Sequence, residues 1–170
     1  SEDVVDELLG LLGAQLNGRT PTADDVPNLP FTRAVVDESM RLYPPAYIFF
    51  RRAKEDDVVC GCRIHRGGAV VIAPMAFHRD PAFWEQPDRF WPERWLQPSA
   101  KERPRFAFLP FSGGPRQCIG NHFAIMEAVL VLATLAQRFA PTLKTWPPSE
   151  YLVTLRPAGG LPMRLCSAPA

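Results

Sequence analysis

Apolar residues recur at helical spacing over residues 2–16. Val4, Val5, Leu8, Leu9, Leu11, Leu12 and Leu16 form a broad face on one helix. Gly18 and the polar run GRTPTADD end it. A second helix is predicted from about Pro30 to Leu42, because proline suits a first helical position and Pro44-Pro45 block continuation. The pattern then changes. AYIFFRRA (residues 46–53) is rich in aromatic and β-branched residues and reads as a strand. Glu55-Asp56-Asp57 reads as a turn, Val58-Val59 and Arg63-Ile64 as short strands, and Gly67-Gly68 as another turn. Ala69 to Ala73 reads as a buried strand. Local hairpins of this kind predict a small, mostly antiparallel sheet.

Pro74 to Asp80 has room for one helical turn. Periodicity then fades from Pro81 to Pro110, where prolines fall at 81, 87, 92, 98, 104 and 110 with Trp84, Phe90, Trp91 and Trp95 between them. Disordered segments are poor in aromatic residues, so these rings predict an ordered meander pinned by burial. A second long helix follows Cys118 and runs to about Phe139. Phe123, Ala124, Met126, Ala128, Val129, Leu130, Val131, Leu132 and Leu135 make it apolar on nearly every side, the pattern of a helix deep in a domain. The tail from Leu143 to Cys166 predicts two or three short strands with a Gly159-Gly160 turn. The fold class is therefore α+β: mainly helical, with a small antiparallel sheet.

Composition narrows the function. The chain has 170 residues, 46% of them hydrophobic and 22% charged, which is a globular balance. A net charge of +1 gives no electrostatic reason to bind nucleic acid. No apolar run is long enough to cross a bilayer, and no signal peptide opens the chain. The opening SEDVVDELLG reads as helix interior, which points to a piece of a longer protein. Cys60, Cys62, Cys118 and Cys166 are too few for a disulfide scaffold. Cys60 and Cys62 lack the spacing of a zinc half-site, and His65, His78 and His122 are scattered. A reducing, intracellular setting fits this usage.

Two groups carry candidate chemistry. In FLPFSGGPRQCIG (residues 108–120), a glycine- and proline-bearing loop delivers Cys118 to the mouth of a helix, where backbone N–H groups favour negative charge. The alternative is an ordinary buried cysteine. Glu38 and Arg41 lie three apart on the second helix and share a face. A surface pair there would contribute little, whereas a buried pair needs a third partner, and Arg94 is available.

These segments resemble the cytochromes P450. Glu38-Ser39-Met40-Arg41 matches the E-x-x-R signature, and Pro92-Glu93-Arg94-Trp95 resembles the P-E-R-[FW] meander motif. Residues 111–120, FSGGPRQCIG, match F-x-x-G-x-R-x-C-x-G at every fixed position. His78-Arg79-Asp80-Pro81 and Phe123-Ala124 with Glu127 look similar too. The order and spacing of the three motifs make the resemblance specific. It covers essentially the whole chain and corresponds to the C-terminal part of the fold, with meander, cysteine-ligand loop and the long helix after it.

The resemblance implies haem b, with the Cys118 thiolate as axial ligand of the iron, pushing electron density onto it. Gly114 would permit the turn, and Gly120 would let the helix approach the porphyrin. Phe111 would shield the sulfur. Arg116 would pair with a haem propionate, and Arg51 would be a second propionate partner, with Arg52 as the competing choice. Glu38, Arg41 and Arg94 would form a structural triad behind the haem, with no catalytic residue beyond the ligand itself. Ala46, Tyr47 and Ile48, together with Leu152, Val153 and Thr154, match segments that line the substrate pocket, although plain core packing is the alternative. The implied partners are an apolar small molecule, O2 and an electron-donor protein, a ferredoxin or a flavin reductase, on a basic face formed by Lys101, Arg103, Arg105 and Arg116.

The family's distal A/G-G-x-[DE]-T helix motif does not occur within these residues. The expectation is residues 1–170 as a C-terminal fragment of one P450 domain, with the distal helix and N-terminal part lying outside it. Such a piece is expected to be inactive alone. The parent is expected to be a cytoplasmic or cytoplasm-facing monooxygenase, with an upstream membrane anchor left open. A P450-fold peroxygenase or isomerase, and a non-catalytic truncated fragment, are the competing readings.

Overall fold

A computed structural model describes residues 2–143 and 145–168. Ser1, at the start of the opening segment, and Lys144, in the tail, lie outside the described residues. The core is built from three helices. Helix α1 (Glu2–Leu16) buries Val4, Leu8, Leu12 and Leu16, one residue per turn. Its carboxylates at positions 3, 6 and 7 face outward. Asn17 and Gly18 take positive φ of 48° and 78° and turn the chain away. A 3₁₀ turn over Ala23–Asn28 leads into helix α2 (Pro30–Leu42), which starts on proline as expected. Phe31, Val35 and Val36 of α2 pack with α1 and with Ile125, Val129, Ala133 and Ala136 of helix α4 (Asn121–Ala136). Each fully buried leucine here contributes about 1.5–3 kcal/mol.

All strand pairing among the described residues is antiparallel and comes as four two-stranded sheets. Strand β1 (Phe49–Arg52) pairs with β4 (Ala69–Ile72), so that Arg51 lies opposite Val70. Between them β2 (Asp57–Val59) and β3 (Cys62–Ile64) form a hairpin closed by Cys60 and Gly61, both at positive φ. After α4, strand β5 (Phe139–Leu143) pairs with β8 (Met163–Ser167), enclosing the hairpin of β6 (Ser149–Tyr151) and β7 (Leu155–Pro157). The short helix α3 (Pro74–Phe77) supplies the predicted single turn. From there to α4 the chain holds only 3₁₀ turns at Pro92–Trp95, Pro98–Glu102 and Gly114–Arg116, and Trp84 is buried as the reading of an ordered meander requires.

Three expectations need correction. The strand over Ala69 to Ala73 is not buried: Ala69 and Val71 are exposed, because only β1 pairs with it. Helix α4 is not covered all round. It buries one stripe, while Phe123, Val131 and Leu135 are each more than half exposed. Helix α4 ends at Ala136, short of Phe139, where β5 begins, while the tail after Leu143 holds three strands as expected.

The α1–α4 seam carries the first prediction. Leu12 is 1% exposed within it, so Leu12→Ala is expected to lower stability by about 2–5 kcal/mol in urea denaturation. A loss below about 1 kcal/mol would mean that α1 does not pack where described.

Candidate functional site

Helix α2 places Glu38 and Arg41 on its buried face, both with 0% exposure. Arg41 Nε and Nη2 donate to the two Glu38 oxygens at 2.9 Å each, a parallel two-bond pair. Glu38 also accepts from Arg94 Nε at 3.2 Å, the Trp91 backbone N–H at 2.8 Å and Trp95 Nε1 at 3.0 Å. The carboxylate therefore receives five hydrogen bonds. Burial by itself would raise its pKa; the Arg41 bonds, the Trp91 N–H and the charge of Arg94 outweigh burial and hold it below the ordinary value.

The two guanidiniums use their remaining donors on the meander. Arg41 Nη1 donates to the carbonyls of His78 (2.7 Å) and Pro87 (2.6 Å), and Nη2 to that of Arg89 (3.1 Å). Arg94 donates to the carbonyls of Glu85 (2.6 Å) and Gln86 (3.2 Å). A chain without helix or sheet must find partners for its carbonyls elsewhere. Here side-chain N–H groups supply them, which is why some thirty aperiodic residues are ordered.

His78 is the member that sequence reasoning missed. It is 0% exposed. Its Nδ1–H donates to the Arg41 carbonyl (3.2 Å), and its Nε2 accepts from the Leu109 N–H (2.8 Å). Those two partners require the neutral, Nδ1-protonated ring. Burial, and then the nearby Arg41 charge, push its pKa down to about 4 against the pull of the carbonyl it donates to. The only sequence signal was its place in His78-Arg79-Asp80-Pro81. Phe108, next to Leu109, stacks near the His78 ring at 5.1 Å and against Trp95 at 4.5 Å.

The cysteine loop starts from that anchor. Ser112 and Gly114 take positive φ of 62° and 72°. The glycine is needed at its position, since a side chain there would be strained. The Cys118 N–H donates to the Phe111 carbonyl (3.0 Å), closing the loop so that Cys118 lies three residues before α4. The Cys118 side chain is exposed. It opens on a cavity of about 350 Å³ whose wall includes Met40, Phe49, Arg51, Phe111, Arg116 and Cys118. A Cβ built on Gly120 would sit 3.9 Å from the Cys118 sulfur, so the glycine leaves open the space beside it.

The remaining sequence-predicted residues fall as follows. Arg51 reaches the loop, with Nη2 donating to Ser112 Oγ at 2.7 Å, while Arg52 lies on the opposite, exposed side of β1. Ala46 lines the same cavity as Cys118. Tyr47 Oη donates to the Leu152 carbonyl (2.9 Å), and the Leu155 N–H donates to the Pro45 carbonyl (2.9 Å), which brings the two predicted pocket segments together. Ile48 is half-buried, whereas Val153 is 97% exposed and Thr154 is exposed. In the predicted basic face, Lys101, Arg105 and Arg116 are exposed, but Arg103 is not available. Its guanidinium lies over the Trp84 and Trp95 rings (4.5 and 5.1 Å) and donates to the Arg94 carbonyl.

The sequence model of the cytochrome P450 family matches residues 4–159, and the chain belongs to that family. Among curated proteins it is similar to cyclooctatin synthase of Streptomyces melanosporofaciens, 41% identical over 162 residues, covering 93% of this chain and 34% of that protein. It is 44% identical over 160 residues to putative cytochrome P450 132 of Mycobacterium tuberculosis, covering 92% of this chain and 34% of the relative. Cyclooctat-9-en-7-ol 5-monooxygenase of S. melanosporofaciens is 41% identical over 124 residues, 73% of this chain and 27% of that protein. The chain thus spans between about a quarter and a third of the length of these curated relatives.

Two predictions follow from the buried cluster. Glu38→Gln leaves Arg41 and Arg94 buried without their counter-charge and is expected to cost about 3–5 kcal/mol in urea denaturation. Arg63→Ala, which breaks the exposed pair with Asp56, is expected to cost about 1 kcal/mol or less. Equal losses would contradict the cluster's central role. The second concerns pH. Unfolded, His78 takes up a proton near 6.5; folded, it does so at about 4. Its contribution to stability is therefore complete above about pH 6.5 and is lost as pH falls toward 4, at up to about 1.4 kcal/mol per pH unit. Denaturation at several pH values checks this, with a flatter profile expected for His78→Gln. Identical slopes would remove His78 from the acid response.

Proposed function

We propose that residues 1–170 are the C-terminal part of a single P450 domain and supply the thiolate side of its haem site. The carrying observation is the exposed Cys118 thiol on a cavity wall it shares with Arg51 and Arg116, with the Gly120 backbone bare beside the sulfur. This donor set suits haem b. The Cys118 thiolate would ligate the iron, and the Arg51 and Arg116 guanidiniums would pair with the propionates. No group of three or more His, Cys, Asp or Glu side chains suited to a metal forms among the described residues, so the group that suits Cys118 is one for which a single protein ligand would suffice. Cys118 and Arg116 with Arg51 would hold the group, Phe111 would shield the sulfur, and Glu38, Arg41 and Arg94 would fix the frame beneath.

Thiolate-ligated haem, when bound, supplies reductive activation of O2 for insertion of one oxygen atom into an unactivated C–H bond. The overall balance is RH + O2 + 2e⁻ + 2H⁺ → ROH + H2O. Electrons come from an acidic donor protein, a ferredoxin or a flavin reductase, docking at Lys101, Arg105 and Arg116. The substrate is an apolar small molecule that reaches the wall formed by Ala46 and the segment held by the Tyr47–Leu152 bond. A relative named as a 5-monooxygenase supports oxygen insertion over the peroxygenase and isomerase readings. Among the described residues no helix is long and apolar enough to cross a membrane, and the proposed setting is the cytoplasmic side.

The test is the reduced carbonyl complex of the complete haem protein. Wild type is expected to show the red-shifted Soret band of thiolate ligation, and Cys118→Ser to lose that band together with turnover. A Cys118→Ser protein that kept the band would overturn the proposal.

A further inference from the structure

We propose that His78 is a positioning residue for the Cys118 ligand, setting the register of its loop through the Leu109 N–H. The inference rests on the haem-thiolate reading above and adds a determinant outside the ligand loop. Arg41 and His78 clamp each other: the Arg41 guanidinium donates to the His78 carbonyl (2.7 Å), and the His78 ring donates to the Arg41 carbonyl (3.2 Å). Arg79 Nη2 donates to the next helix carbonyl, that of Leu42, at 2.8 Å. Helix α2 is thus capped by side chains of the His78-Arg79 segment, so the ring is fixed at both ends of its own residue.

The free ring nitrogen faces the cysteine loop. Among the described residues, two side chains from outside residues 108–120 hydrogen-bond into that loop: His78 to Leu109, and Arg51 to Ser112. From Leu109 the connection to the ligand is short. The Leu109 carbonyl accepts from the Ser112 N–H (3.4 Å), and the Phe111 carbonyl accepts from the Cys118 N–H (3.0 Å). Leu109 also packs tightly against Gly113, where an added Cβ would come within 3.3 Å of its side chain. A displacement of Leu109 is therefore passed to the turn that carries the sulfur. The buried ion cluster and the thiolate are coupled through one imidazole, which must stay neutral because Nε2 is an acceptor.

The experiment uses the complete haem-loaded protein and three substitutions. His78→Phe keeps the ring beside Phe108 but orphans Leu109 N–H and the Arg41 carbonyl. His78→Gln can reach both partners, and His78→Asn is one bond too short to span them. The expected result is a several-fold larger share of non-thiolate carbonyl complex, and a shifted iron reduction potential, in the Phe and Asn variants, with Gln close to wild type. Loss of folding stability alone would not move the potential of the protein that remains folded. If His78→Phe does not fold, the two amide variants carry the comparison. Asn and Gln variants that both match wild type in potential and carbonyl spectrum would overturn the proposal, provided Cys118→Ser has lost its thiolate band. If Cys118→Ser keeps the band, the parent reading is the one that fails. A variant-free check is nitrogen NMR of the diamagnetic carbonyl complex: an Nε2-protonated His78 in wild type would sink the inference outright.

Discussion

The structure depends on one buried carboxylate. Glu38 sits at 0% exposure and accepts five hydrogen bonds. Removing a carboxylate from water costs several kcal/mol, and only near-complete replacement of its hydration makes that tolerable. Arg41, Arg94, Trp91 and Trp95 supply the replacement. The two arginines carry one positive charge more than the single carboxylate cancels. Their surplus is met by the carbonyl dipoles of His78, Glu85, Gln86, Pro87 and Arg89. Helix and meander are each unsatisfied without the other, so α2 and the Pro92–Trp95 turn are held in one arrangement.

That mutual dependence explains why so much was legible in the sequence. The helix α2 boundaries come from Pro30 and Pro44-Pro45, which act locally. Pairing of Glu38 with Arg41 comes from helix geometry, and the need for Arg94 comes from hydrogen-bond arithmetic. What stayed hidden depends on which surface covers which. Periodicity marks α4 as apolar on every side but cannot say that only the stripe of Ile125, Val129, Ala133 and Ala136 meets α1 and α2. The apolar run at Ala69 reads as a buried strand, yet a two-stranded ribbon has too little area to bury it. Arg103 reads as a surface cation in a basic segment; the partners that withdraw it, Trp84 and Trp95, lie on separate stretches of the meander.

His78 was hidden for a related reason. A lone histidine carries no pattern, and its role exists only where Arg41 and Leu109, 37 and 31 residues away in sequence, converge on its two nitrogens. Its lowered pKa has another cause: burial first, and then the charge of Arg41, which together outweigh the hydrogen bond to the Arg41 carbonyl.

In the proposed reading the Cys118 thiol must be reached by a large planar group and so be exposed, and exposed loops are ordinarily mobile. Cys118 escapes this conflict because its loop is held from behind. Ser112 adopts a left-handed backbone uncommon for a residue with a side chain, and Arg51 secures its hydroxyl while itself facing the cavity. Gly114 takes the next left-handed position without strain. Phe108 and Leu109 fasten the loop's start to His78, and the Cys118 N–H is tied to Phe111. The loop is thus held at its start by the buried cluster, through His78, and at Ser112 by Arg51 from β1, while the sulfur itself stays exposed to the cavity. A rigid rear and an open front are what the proposed ligand role would require: its position is set before anything binds, and the cost of ordering it has already been met in folding.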